Sequence, residues 1–402
     1  MAESETTHAE PAGPGSYAKN KRLIGHLSLM GFATALAARA VDPIVPPIAS
    51  SLATDVDKVA LLSTAFALPF AFVQPVLGPL ADSVGKIRTM MVCVLVIMLS
   101  SFVCAVATSY WVLVVARIVG GMASGGIFPV GMAIVGDLVP VNERQIALSR
   151  WLAIVIAGNL LGAALAGIIG DAAGWRAVFL AVGLCCALSF VNGLLHLRAA
   201  ADVPRKVFSL RAIPSSYLAV VANPRAKFCF LAVFLEGVAV FGLFPYISVL
   251  LMHAGEPRAA IAGLVIAGFS IGGLAYSMTV ASFMRHLTQP QMMLTGAFMA
   301  AFGFVIVSFD PSWLVQFAAM LLVGMGFYLL HACIQVEATE LLPSARGTAI
   351  SMHSLFFFIG IATGPVVYGV AFAQLGSALA VLAGAALVVG IGLLCTRTLA
   401  RR

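Results

Sequence analysis

The sequence predicts an all-α membrane protein with about twelve transmembrane helices arranged as two pseudo-symmetric six-helix bundles. Three observations predict it. Charged residues make up only 10% of the 402 residues while 61% are hydrophobic, against about 25% charged in an ordinary soluble chain. Apolar runs of about twenty residues recur from residue 23 to residue 396, the length needed to cross a bilayer as a helix. They do not alternate in and out as barrel strands would. Finally, the second half repeats features of the first.

The runs fall at about 23–50, 58–81, 88–108, 110–138, 146–170 and 175–197, then 226–252, 259–284, 290–309, 313–340, 347–373 and 376–396. Before them, residues 1–22 are polar, acidic and rich in Pro and Gly, and read as a disordered cytoplasmic tail. That start lacks the basic-then-apolar order of a cleaved signal. Residues 198–224 form the one long polar interruption, with four basic residues and two more just after it at Arg225 and Lys227, and read as a cytoplasmic linker between bundles 23–197 and 225–396. Within the linker, Val207 to Ala222 is expected to lie on the membrane face as an amphipathic helix. Residues 397–402 read as a second cytoplasmic tail.

The +7 net charge sorts by loop. Eighteen of the 23 Lys and Arg lie in loops of one side, and three (Lys58, Arg176, Arg258) on the other. The last two, Arg39 and Arg117, fall inside spans. The positive-inside rule then puts both termini in the cytoplasm, with an even number of spans. The excess charge speaks for orientation and against a nucleic-acid partner. All seven cysteines lie in apolar segments without metal-ligand spacing and read as packing residues, not disulfides.

The internal repeat has an offset of about half the chain. Asp137-Leu-Val-Pro140 with Arg144, Ala147 and Ser149 parallels Glu340-Leu-Leu-Pro343 with Arg346, Ala349 and Ser351. Met90-Met91 and Trp111 fall opposite Met292-Met293 and Trp313. Three coincidences at nearly one offset argue for duplicated halves.

Between the second and third runs stands Gly78-Pro-Leu-Ala-Asp82-Ser-Val-Gly85-Lys86-Ile-Arg88. Gly78 permits close helix approach and Gly85 a sharp turn. Asp82 sits near a helix C-terminus, where an anion calls for a cation, with Lys86 and Arg88 nearest. This spacing resembles the loop between helices two and three of the major facilitator superfamily, with Ser83 where an arginine is often found. Gly174-Trp175-Arg176 and Arg117-Ile-Val-Gly120-Gly121 are also similar to family patterns. Within the superfamily, the chain most resembles bacterial drug:proton antiporters and arabinose-efflux-like permeases. The glycine run Gly158-Asn159-Leu-Leu-Gly162-Ala163-Ala-Leu-Ala-Gly167 partly matches the antiporter pattern, with Ala163 in place of a proline. The resemblance covers about residues 20–396.

That resemblance implies a secondary transporter of the bacterial inner membrane, a monomer using no cofactor. It implies a cavity lined by spans one, four, seven and ten that opens alternately to either side. Its partners would be a small-molecule substrate, protons and the lipid bilayer.

Ionisable groups inside spans are costly and call for a reason. Arg39 and Asp42 are three apart and share a helix surface; Pro43, Pro46 and Pro47 then bend the helix. Arg39, Asp42 and Arg117 reach similar depths, so Asp42 can pair with either arginine. Glu236, near mid-depth, can load and release a proton. Glu236, Asp42 and Arg117 are therefore the proton-coupling candidates, against the alternative of buried pairs that only hold helices together. Substrate-binding candidates are Arg39, Asn159, Phe241, Phe244, Tyr246, Tyr328, His331 and Gln335, the aromatics forming a wall for an amphiphilic ligand. His331 reads equally as a packing residue. The gating candidates are Gly78, Asp82, Gly85, Lys86, Arg88, Asp137 and Glu340. Asp137 is expected to meet Lys86 or Arg88 in a latch that stabilises the outward-open state and breaks on inward opening, with Glu337 doing similar work in the second half. Met278, Met284, Met292, Met293, Met299, Met320 and Met325 read as core packing in preference to a metal site with His331 and His353, and no metal is assigned.

No nucleotide loop or catalytic triad is present, and Gly120-Gly121 with Gly125-Gly126 lies within a span as helix packing. The leading function is proton-coupled export of a small amphiphilic organic solute or drug. Two rivals stay open: uptake of a solute or metal ion, and a non-transporting membrane sensor.

Overall fold

The computed structural model describes residues 14–139, 141–197, 213–342 and 346–399. Among these, twelve helices are long and apolar enough to cross a membrane. In chain order they are span 1 (Arg22–Ser51), span 2 (Val56–Leu77), span 3 (Lys86–Ala105), span 4 (Tyr110–Leu138), span 5 (Ala153–Ala173) and span 6 (Trp175–His196). Then come span 7 (Ala226–His253), span 8 (Ala259–His286), span 9 (Gln289–Val307), span 10 (Trp313–Thr339), span 11 (Thr348–Leu375) and span 12 (Ser377–Thr398). Twelve spans return the chain to the side on which it started. One face of the bundle therefore carries both ends and is called here the terminal face.

The packing repeats with a period of six spans. Span 1 packs on span 5, span 2 on span 4 and span 3 on span 6; span 7 packs on span 11, span 8 on span 10 and span 9 on span 12. The two bundles meet along two seams, span 2 against span 11 and span 5 against span 8. Advancing either seam by six spans gives the other, which is the pseudo-symmetry that the repeated sequence implies.

Local chemistry sets several boundaries. The helix that contains span 2 continues to Val84 and ends where Gly85 adopts φ 111°, a value that L side chains rarely adopt, and span 3 starts at the next residue. Ser109 accepts from the Val112 amide at the start of span 4, and Thr288 and Gln291 form a reciprocal cap on span 9. Three spans are irregular. Span 1 is interrupted by a 3-10 turn at Asp42–Ile44, where Pro43 removes an amide. Span 4 breaks at Gly125 and Gly126, between helices ending at Ser124 and starting at Ile127. Span 7 holds a π-helical turn, Gly237–Phe241, directly after Glu236.

Some expectations need correction. The first helix starts at Pro14, so residues 14–22 are helical and not a disordered tail; residues 1–13 lie outside the described residues. Of the linker, a helix forms at Ile213–Val221, while 198–212 lie outside the description. The last helix runs to Thr398. Met293 and Met320 are fully buried, but Met278 and Met284 are 85% and 68% exposed. Those two belong to the outer surface of span 8, where a bilayer would solvate an apolar side chain as well as a core does.

Candidate functional site

A cavity of about 290 Å³ lies between the bundles. It extends from Asp42 and Phe244, in the half of the bundle away from the terminal face, to Gln74, Gln335 and His353, in the terminal-face halves of spans 2, 10 and 11. Beyond Asp42 the opposite end is closed. There the Asp171 carboxylate, at the end of span 5, accepts the Ala259 and Ala260 amides at 2.9 and 2.8 Å, capping span 8 of the other bundle. Ser248 donates to the Asp42 carbonyl oxygen at 3.4 Å.

Most of the substrate-binding candidates reach the wall: Arg39, Asn159, Phe241, Phe244, Tyr328, His331 and Gln335. Tyr246 does not, because it points away and donates from its hydroxyl to the Pro365 carbonyl at 3.0 Å while its ring meets Phe372. The aromatic lining is wider than the sequence suggested. Phe241 lies edge-on to Phe269, Phe327 and Phe357, an arrangement in which positive ring edges meet negative faces.

At the closed end of the cavity, Asp42 is the partner of Arg39, with Nη1 and Oδ2 3.5 Å apart. Ser63 of span 2 donates to Asp42 Oδ1 at 2.8 Å. The Arg39 guanidinium lies 4.6 Å and 5.0 Å from the ring centres of Phe241 and Phe244, so span 7 of the second bundle covers a charge of the first.

Arg117 was expected at the pathway and is not on the cavity wall. It is 4% exposed, donates to the carbonyls of Ala37 and Leu62 at 3.0 and 3.4 Å, and lies over the Phe66 ring at 4.1 Å. Its surroundings are backbone oxygens of spans 1 and 2, which makes it a clamp within the first bundle.

Glu236 is fully buried and also lies off the wall. His331 of span 10 stands between it and the cavity: Nδ1 is 2.7 Å from Glu236 Oε2, and the His331 ring lines the cavity. Among the described residues Glu236 Oε1 has no hydrogen-bond partner. The His353 ring lies 5.2 Å from that of His331. Sequence reasoning gave Glu236 no basic partner, because His331 is 95 residues away along the chain. Among the described residues no group of three or more His, Cys, Asp or Glu is placed to hold a metal ion.

Of the gating candidates, Lys86 and Asp137 meet at 2.6 Å. Gly85 makes the turn described above, and Arg88 is exposed. The side chains of Gly78 and Asp82 lie outside the described residues. Glu340 caps the end of span 10. Its neighbour Glu337 holds the second bundle's contacts, taking Arg225 at 2.7 Å and Gln289 at 2.9 Å. The same Arg225 donates to the Leu399 carbonyl, tying spans 7, 10 and 12.

The comparisons with known proteins decide the family. The family model described as Major Facilitator Superfamily matches residues 27–365. The chain belongs to the Major Facilitator Superfamily. Among its superfamily relatives, YtbD of Bacillus subtilis, described as an uncharacterized MFS-type transporter, is 24% identical over 86% of this chain and 87% of its own. The quinolone resistance protein NorA of Staphylococcus aureus is 22% identical over 83% of this chain and 85% of its own. The probable multidrug resistance protein EmrY of Escherichia coli is 30% identical over 38% of this chain and 30% of its own. Two solved superfamily folds also match. A point mutant of the nucleoside transporter NupG aligns with TM-score 0.76 and 14% identity, covering 92% of this chain and 98% of that one. A bacterial homologue of the lysosomal transporter Spinster aligns with TM-score 0.71 and 16% identity, covering 97% and 96%. The major facilitator fold is that of a multi-pass membrane transporter, and it agrees with the helices and seams described above.

Proposed function

We propose that this chain exports a small, amphiphilic organic solute in exchange for protons, the two bundles rocking about the central cavity. Glu236 carries the proton. The observation behind this reading is the Glu236–His331 pair, with one carboxylate oxygen bonded to a ring that lines the cavity and the other left without a partner. A buried carboxylate so incompletely satisfied is costly, and proteins keep such groups where they act. Asp42 is the second candidate carrier, since it lines the same cavity. Arg117 is reassigned from coupling to holding spans 1, 2 and 4 together.

Resistance proteins among the relatives favour export over uptake. The bundles are 23–197 and 225–396, joined through 198–224. The basic residues place the terminal face in the cytoplasm of a bacterial cell, so the cavity described is loaded from inside. The unit of function is a monomer, with lipid, solute and protons as its partners.

Purified protein in proteoliposomes with an imposed pH gradient tests this. Solute is expected to move against the proton, and Glu236→Gln is expected to abolish that flux while the protein stays folded. Unchanged flux in Glu236→Gln discards the assigned role. Solute moving with the proton reverses the direction, and no flux from any gradient would favour a non-transporting sensor.

A further inference from the structure

The chemistry of the cavity wall narrows the substrate class. This inference rests on the proposal that the cavity is where solute binds. The charges there are unequally accessible. Arg39 keeps 17% of its side chain exposed, while Asp42 keeps 1% and Glu236 1%. A molecule in the cavity therefore meets a guanidinium and almost no carboxylate.

The pairing with Asp42 does not use up Arg39. Their close contact is 3.5 Å, and among the described residues Asp42 Oδ2 accepts no shorter hydrogen bond. Arg39 carries five N–H donors, and its contact with Asp42 runs through Nη1 alone. Nor is Asp42 reserved for Arg39, because it lies within electrostatic reach of Arg117 too. The Arg39 guanidinium is thus the accessible charge at the closed end of the cavity.

The walls around Arg39 are aromatic. Phe241 and Phe244 flank the guanidinium, Phe269, Phe327 and Phe357 continue the surface, and Tyr328 faces the same space. Flat rings give a planar ligand stacking surfaces without costly side-chain ordering. A guanidinium fork matches a carboxylate with two parallel hydrogen bonds.

We infer that the cavity binds planar aromatic carboxylic acids as their anions, with Arg39 holding the carboxylate and the phenylalanine wall holding the ring. Substrate choice and proton coupling are then separate. Arg39 on span 1 reads the acid, while Glu236 on span 7 and His331 on span 10 handle the proton.

Three ligands of one shape but different charge test this: 2-naphthoate, 2-naphthamide and 2-naphthylmethylamine. Their binding to the detergent-solubilised full chain is measured by calorimetry at neutral pH, with protein-free micelles as background. Naphthoate is expected to bind at least roughly tenfold more tightly than either of the others. Arg39→Gln is expected to erase that preference. Arg39→Lys, which keeps the charge without the fork, is expected to retain the order of the series at weaker affinity. The wild-type series needs no variant, so misfolding of Arg39→Gln leaves the measurement intact. Amine or amide binding as tightly as naphthoate overturns the acid assignment while leaving a solute cavity in place. If none of the three binds, the cavity reading fails along with the assignment. Gradient-driven flux in Glu236→Gln is a separate measurement, so loss of coupling and loss of acid recognition are told apart.

Discussion

At the scale of single residues, the closed end of the cavity is an electrostatic balance that one substitution can tip. Asp42 stands near Arg39 and Arg117 and accepts a hydrogen bond from Ser63. Replacing Asp42 by Asn leaves the half-buried Arg39 without its counter-charge. Breaking a buried pair this way costs about 3–5 kcal/mol. Ser63→Ala removes one donor to a charged acceptor, worth about 1.5–3 kcal/mol. Thermal unfolding in detergent is therefore expected to show Asp42→Asn well below Ser63→Ala, and both below wild type. Equal midpoints for the two variants would mean that Asp42 is not ionised in the folded protein. The sequence made Asp42 and Glu236 stand out because charge is rare in these spans. Which charges meet was not legible, since Arg39 and Arg117 stood equally close to Asp42 by helix count. Ser63 gave no local signal, and His331 stood out without its tie to Glu236, because each joins its carboxylate only through helix packing.

At the scale of elements, apolar run length was enough to place twelve spans, since a bilayer rewards little else. Their irregularities were less legible. The prolines after Asp42 announced the break in span 1. The π-helical turn of span 7 had no such marker, and span 11 packs against it backbone to backbone. Gly237 faces the backbone of Phe357 and Gly360, and Gly364 faces that of Gly242. A side chain at Gly364 would meet main-chain atoms, which cannot rotate away. Gly364→Val is expected to lower the unfolding midpoint sharply or to prevent recovery of folded protein. Gly390 of span 12 has nothing within 4 Å of an added Cβ. Gly390→Ala is expected to be neutral or to gain up to about 1 kcal/mol from helix propensity. Similar effects from the two substitutions would refute the close seam between spans 7 and 11.

At the scale of the whole molecule, the question is which contacts must break for the cavity to open on the other face. The repeat in the sequence foretold the two bundles, and the even number of spans the shared side of the termini. It did not foretell the closures. The Lys86–Asp137 contact was expected to break when the cavity opens to the terminal side, yet it is formed here with the cavity reaching that side. The reason is topological: both residues belong to the first bundle, so rocking of one bundle against the other leaves their distance unchanged. Asp171 is different. It belongs to span 5 and caps span 8, so its two hydrogen bonds cross the seam on the closed face. An anion at a helix N-terminus contributes about 0.3–1 kcal/mol when exposed and up to about 2 kcal/mol when partly buried. Losing that much shifts a two-state equilibrium by up to roughly thirtyfold. Asp171→Asn is therefore expected to raise the population open on the opposite face, whereas Asp137→Asn is not. A cysteine introduced at Ser248, 4% exposed beside Asp42, reports the difference through its labelling rate with a membrane-impermeant maleimide. Faster labelling in Asp171→Asn alone supports a closure built on the span 8 cap. Faster labelling in Asp137→Asn as well would show that the Lys86 contact is coupled to rocking after all, through strain passed along span 4 to the seam.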